Sequence, residues 1–132
     1  MNPYEYASHC FGGKWKPLIL RAIYIENTAR FCTFKKVHCI SEKMLSQALK
    51  ELEAERLVIR TVYPEVPIRV EYQLTPAGES LILLMDEIYK WSRKQMLDRG
   101  IPIDPEGEKW HGYATPFPTD SKPPYNYPKK SK

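Results

Sequence analysis

Between Ser41 and Lys50 the chain reads SEKMLSQALK. If this stretch is helical, Lys43, Ser46, Gln47 and Lys50 fall on one side at about 100° per residue, and Met44, Leu45, Ala48, Leu49 and Leu52 on the other. The polar set has a definite chemistry. A glutamine amide donates and accepts at once and so pairs with the major-groove edge of adenine. A lysine reaches guanine acceptors or phosphate, and a serine hydroxyl suits either. An α-helix fits the major groove, and residues near the start of a docked helix reach the base edges. Lys43, Ser46 and Gln47 are therefore the candidates for base readout, and Lys50 for a phosphate contact. Ser41, ahead of Glu42, is a good N-cap and lies where backbone phosphate would pass.

Charge placement agrees with this chemistry. From Arg30 to Lys50, five Lys/Arg (Arg30, Lys35, Lys36, Lys43, Lys50) stand against Glu42 alone, a local +4 equal to the net charge of the whole chain. Such a patch is the footprint of a phosphate-binding surface. Lys35, Lys36 and Arg69 join it as candidates for backbone or minor-groove contacts, which position a protein without reading sequence.

Other chemistries fare worse. His9-Cys10 and His38-Cys39 are adjacent pairs, a poor chelate spacing, and lie in different elements, so neither a metal nor a cofactor is expected. Cys39 sits close to Lys35, Lys36 and a helix start, where a thiol pKa would fall, and is the candidate for a thiol switch. No phosphate-cradling glycine motif and no nucleophile–base signature occurs, so an enzyme is not expected. Three cysteines without a CxxC pair argue against a secreted disulfide framework, and no apolar run approaches the ~18 residues of a membrane span. No basic-then-apolar leader opens the chain, and a cytoplasmic protein is expected.

The elements that must carry these residues can be read in order. Trp15, Leu18, Ile19, Ala22 and Ile23 predict a helix over about 13–24, with Pro17 tolerable only in its first turn. A shorter helix is expected over 33–37, then the helix from Ser41. The stretch RTVYPEVPIRVEYQLT at 60–75 predicts two strands, 57–63 and 69–74, around a proline-stiffened tip unable to join a sheet. Thr75-Pro76 opens a helix that runs to about Arg99 and stops at Gly100. Its apolar residues spread over half its circumference, wider than a helix resting on one small domain needs. Leu81, Leu84, Met85, Ile88 and Trp91 are the expected contacts with a partner subunit. From 100 to 132 the chain is rich in proline and aromatics without a period, and a largely irregular tail is expected, part of which, Trp110 to Phe117, docks onto the domain or a partner. The domain plan is thus 1–99 and a 100–132 tail. The class is mainly α with a small β-hairpin wing, a winged helix-turn-helix with a C-terminal dimerisation helix.

GGKWKPLIL at 12–20, ARF at 29–31, ISEKMLSQALKELEAERLVIRTVYPEVPIRVEYQLTPAG at 40–78 and Trp91 resemble the HxlR family of bacterial and archaeal transcriptional regulators, relatives of MarR-type proteins. The resemblance implies a homodimer bound to a pseudo-palindromic double-stranded DNA operator, in many cases responsive to reactive chemicals. By position it implies a recognition helix at 42–55, a wing at 57–74 and a dimer contact made by the N-terminal segment and the 76–97 helix. Family members often carry a sensor cysteine ten positions before the first glycine of GGKW; here that residue is Asn2. The alternative is a winged-helix protein–protein interaction module, which would show neither salt-sensitive duplex binding nor a self-complementary dimer.

Overall fold

The structure, a computed structural model, describes residues 1–37, 40–105 and 108, with residues 35–37 described in their backbone only. Its elements are α1 (Pro3–Phe11), α2 (Lys16–Glu26), α3 (Phe31–Val37), α4 (Glu42–Ala54), β1 (Val58–Tyr63), β2 (Arg69–Leu74) and α5 (Pro76–Asp98). The expected class, mainly helical with one antiparallel hairpin, is the one adopted. Two compact units divide within α5: one contains Met1–Ile82, the other begins at Leu83.

Helix α1 was not expected. It forms because Asn2 and Glu5 cap each other: the Asn2 side chain accepts from the Glu5 N–H at 3.0 Å, and the Glu5 carboxylate accepts from the Asn2 N–H at 3.2 Å. Pro3 adds a preset φ at the first position. Helix α2 begins at Lys16 rather than Gly13, because Gly13 holds a φ of +86° that a helix cannot use. Pro17 then lies in the first turn, the place where its missing N–H costs nothing.

The core of the first unit gathers Ile19, Leu20, Ala22 and Ile23 of α2, Phe34 of α3, Leu45, Leu49 and Leu52 of α4, Val58 and Tyr72. Each large apolar side chain buried here contributes roughly 1.5–3 kcal/mol. Tyr72 is the junction. Its N–H and C=O exchange hydrogen bonds with Ala29 at 2.7 and 2.9 Å, and its ring meets Phe34 edge-on at 6.1 Å. The hairpin is thereby tied to the segment that leads into α3.

Helix α4 starts at Ser41, whose Oγ accepts from the Met44 N–H at 3.2 Å. It ends through Arg56, which takes a left-handed φ of 60° while the Leu57 N–H returns to the Leu52 carbonyl at 3.0 Å. The chain leaves directly into β1. At the far end of the hairpin, Thr75 caps α5: its Oγ1 accepts from the Gly78 N–H at 3.0 Å and donates to the Arg56 carbonyl at 2.7 Å. Gly78 packs so closely that a Cβ would lie 2.2 Å from the Leu57 carbonyl oxygen.

In the second unit, α5 is closed by Gly100 at a φ of +70°. Beyond it Glu108, 1% exposed, accepts from the Arg93 guanidinium at 2.8 Å and from the Tyr89 hydroxyl. A charged anchor thus exists in the stretch expected to be irregular. Trp110 to Phe117, expected to dock, lie outside the described residues.

Candidate nucleic-acid interface

The outer side of α4 is built as its pattern required. Leu45, Ala48, Leu49 and Leu52 are buried, whereas Lys43, Gln47 and Lys50 are exposed and Ser46 is half-buried. Met44 departs from expectation: although assigned to the apolar side, it is 49% exposed. One turn into a helix, at the edge of the buried stripe, a residue leans toward the helix start and past the core.

Grooves flank this helix on both sides. One, of about 610 Å³, is lined by Ser46, Leu49, Lys50 and Glu53 of α4, by Phe31, and by Arg60, Val70 and Tyr72 of the hairpin. The other, of about 470 Å³, runs between the Gly12–Lys16 segment and Lys43, Met44, Gln47, Ala48 and Glu51. The four polar residues of α4 thus form the ridge between two concavities, and one concavity is walled by the wing.

The wing arginines are placed differently from expectation. The register pairs Arg60 with Tyr72, Val62 with Val70 and Tyr63 with Arg69. Side chains alternate across a strand, and directly paired residues share a face. Arg60 therefore stands on the face of Tyr72 and Val70, toward α4, whereas Arg69 stands on the opposite face. Among the described residues Lys43, Lys50 and Arg60 form no ion pair, so their charges are available to an anion. Sequence reading missed Arg60; a register drawn from the proline tip, with Tyr72 inward, places it.

Arg69, by contrast, is occupied. Its guanidinium lies 3.7 Å over the Tyr63 ring, donates to Glu65 at 2.8 and 3.3 Å, and donates to Glu71. Hydrogen bonding to Glu65 and then Glu71 drives its pKa further up, and the same bond holds the Glu65 carboxyl below the usual glutamate range. Two carboxylates answer its charge and make it a brace across the tip, in competition with the expected phosphate contact. Glu65 at the tip is one partner of that brace. The tip itself contains a cis Val66–Pro67 bond and exposes Val66 and Ile68.

The remaining expected residues divide clearly. Ser41 is exposed and spends an oxygen lone pair on its cap. Lys35 and Lys36 lie on α3, but their side chains are outside the described residues, as is Cys39. Of the other thiols, Cys10 is buried and Cys32 exposed. Asn2 is committed to capping α1. On α5, Leu84, Ile88 and Trp91 are exposed at helical spacing, and Leu81 is half-buried. Met85, grouped with them by sequence, is only 6% exposed within the protomer and is not available to a partner. Leu83, by contrast, is 65% exposed. Among the described residues no group of three potential metal ligands occurs, and no helix is long and apolar enough to cross a membrane.

Comparison with known proteins places this geometry. A family model described as HxlR-like helix-turn-helix matches residues 10–99. The uncharacterised HTH-type transcriptional regulator YdzF of Bacillus subtilis (strain 168) is 42% identical over 94 residues, covering 70% of this chain and 86% of YdzF. Among solved structures, the redox regulator HypR in its reduced form is similar at 36% identity and a TM-score of 0.63, covering 74% of this chain and 99% of HypR. Diamide-treated YodB of B. subtilis is similar at 35% identity and a TM-score of 0.62, covering 71% of this chain and 94% of YodB.

Proposed function

The chain belongs to the HxlR-like helix-turn-helix family and is a transcriptional regulator; on that premise we propose that it binds double-stranded DNA sequence-specifically, as a homodimer on a pseudo-palindromic operator. In this reading α4 enters the major groove, with Lys43, Ser46 and Gln47 at base edges. Lys50 and Arg60 neutralise phosphates, with Lys35, Lys36 and Ser41 extending the backbone track. The observation that carries it is the shared groove: Ser46 and Lys50 of α4 and Arg60 of the hairpin line one concavity, and among the described residues neither cation forms an ion pair.

The dimer is supported by Leu83, Leu84, Ile88 and Trp91, a run of large apolar side chains left exposed on α5. Exposed apolar clusters of this kind mark association surfaces. The site of action is the cytoplasm, where the operator lies. A response to oxidants or reactive small molecules forms part of the proposal, supported by similarity to a protein named as a redox regulator. Since Asn2 offers no thiol, Cys39 at the approach to α4 is its assigned sensor. Titration with a thiol reagent tests this, and an unreactive Cys39 ends it.

Selection of bound fragments from a random duplex library, combined with light scattering, tests the whole reading. The expected result is a dimer in solution and a symmetric motif with half-sites about one helical turn (~34 Å) or a multiple apart. A monomer that enriches no duplex would instead assign the chain to protein–protein interaction.

A further inference from the structure

Gln47 does not wave freely from α4. Its Nε2 donates to Oε2 of Glu51 at 2.7 Å, and Glu51 is itself gripped by Lys16, whose Nζ lies 2.8 Å from Oε1. Lys16 comes from the start of α2, has a side chain only 13% exposed, and donates a further bond to the His9 carbonyl at 3.0 Å. A glutamine–glutamate pair four residues apart on a helix is ordinarily a weak, mobile contact. Here the glutamate is clamped from a second element, so the amide it holds has one preferred face. Hydrogen bonding from Gln47, and then from Lys16, keeps the Glu51 carboxyl below the usual glutamate range, so the clamp is an anion at neutral pH.

The consequence is a matter of donors and acceptors. One N–H of the Gln47 amide is spent on Glu51. The other N–H and the carbonyl Oε1 remain, one donor beside one acceptor. In the major groove adenine presents an acceptor at N7 and a donor at N6, which this pair matches; guanine presents two acceptors, N7 and O6. Turning the amide over to offer guanine more donors would set Oε1 against the Glu51 carboxylate, acceptor facing acceptor.

We propose that Glu51, held by Lys16, is a positioning residue that commits Gln47 to adenine over guanine at one base pair of each half-site. This rests on the DNA-binding reading above. The test is a comparison of base preferences, by duplex selection, for the full chain and for its Gln47→Ala, Glu51→Ala and Lys16→Met variants, each checked for an unchanged thermal melt. Gln47→Ala locates the base pair, at which the unaltered chain selects adenine. Glu51→Ala and Lys16→Met are expected to lower the adenine-to-guanine ratio at that pair by on the order of tenfold, leaving other positions as they were. Glu51→Gln, whose single carbonyl oxygen goes to Lys16 and whose N–H then faces Gln47, is expected to lower the ratio as Glu51→Ala does. A merely structural role for Glu51 would weaken all positions together. If Gln47→Ala alters a base pair and Glu51→Ala leaves its preference intact, the inference falls while the DNA-binding reading stands. If no variant or parent selects any duplex, both fall.

Discussion

Replacing Lys50 with alanine, beside a matched replacement of Arg69, separates a cation that meets DNA from one that braces the protein. Each phosphate neutralised contributes about −0.9 to the slope of log affinity against log salt on B-form DNA. Of the uncommitted cations in the described part of one protomer, two are assigned to phosphates, Lys50 and Arg60. A two-fold dimer doubles this, for a slope of roughly −4 and a loss of about 10² in affinity between ~50 and ~200 mM salt. Any contacts from Lys35 and Lys36 would steepen it. Lys50→Ala removes one contact per protomer and should make the slope shallower by about 2, weakening all sequences alike. Arg69→Ala should leave the slope unchanged, because its charge is already answered by Glu65 and Glu71. Its loss of affinity, through a loosened tip, should be the same at every salt concentration. Fluorescence anisotropy of a labelled duplex across a salt series reads both variants. A slope untouched by Lys50→Ala, or one that Arg69→Ala flattens equally, would refute the assignment of these two residues.

Gly78→Ala should destabilise the fold by about 1–3 kcal/mol, seen as a lowered melting temperature, since its new methyl meets the Leu57 carbonyl at 2.2 Å rather than a movable side chain. Glu108→Ala removes the buried acceptor of the Arg93 Nε–H and the Tyr89 hydroxyl and should cost about 1.5–3 kcal/mol of stability in calorimetry. Truncation after Gly100 removes that pair and should melt earlier than the full chain. The Glu51 carboxyl, whose folded pKa is depressed, contributes stability above the usual glutamate range that is lost as pH falls through its lowered folded value. Its side-chain ¹³C resonance should therefore titrate at lower pH in the folded protein than in a short unfolded peptide, and titration at the peptide's pH would contradict the Lys16–Glu51–Gln47 linkage.

What could be read from the residues depended on how local the signal was. Helix α4 was legible because its two faces differ in chemistry at a 3.6-residue period, and Ser41 marks its start. The hairpin was legible from alternation and the prolines of its tip. Alternation separates the faces of a strand without saying which is inward. That choice rests on Tyr72 meeting Ala29 and Phe34, contacts more than thirty residues back along the chain, and it sets Arg60 rather than Arg69 on the face toward α4. Helix α1 buries only Cys10, so it has no apolar stripe to reveal it. On α5 the apolar arc was too wide to rank its members: Met85 is buried and Leu83 exposed. Glu108 gave no signal at all: a lone acid in an aperiodic stretch, its partner fifteen residues away on a helix.

The most direct test is amide and side-chain chemical-shift mapping of the isotope-labelled protein titrated with its selected duplex. The account predicts large perturbations at Lys43, Ser46, Gln47, Lys50 and Arg60, with Arg69 and the Leu84–Trp91 stripe little moved by the duplex. Perturbations that spare α4 and Arg60 while gathering elsewhere would contradict it.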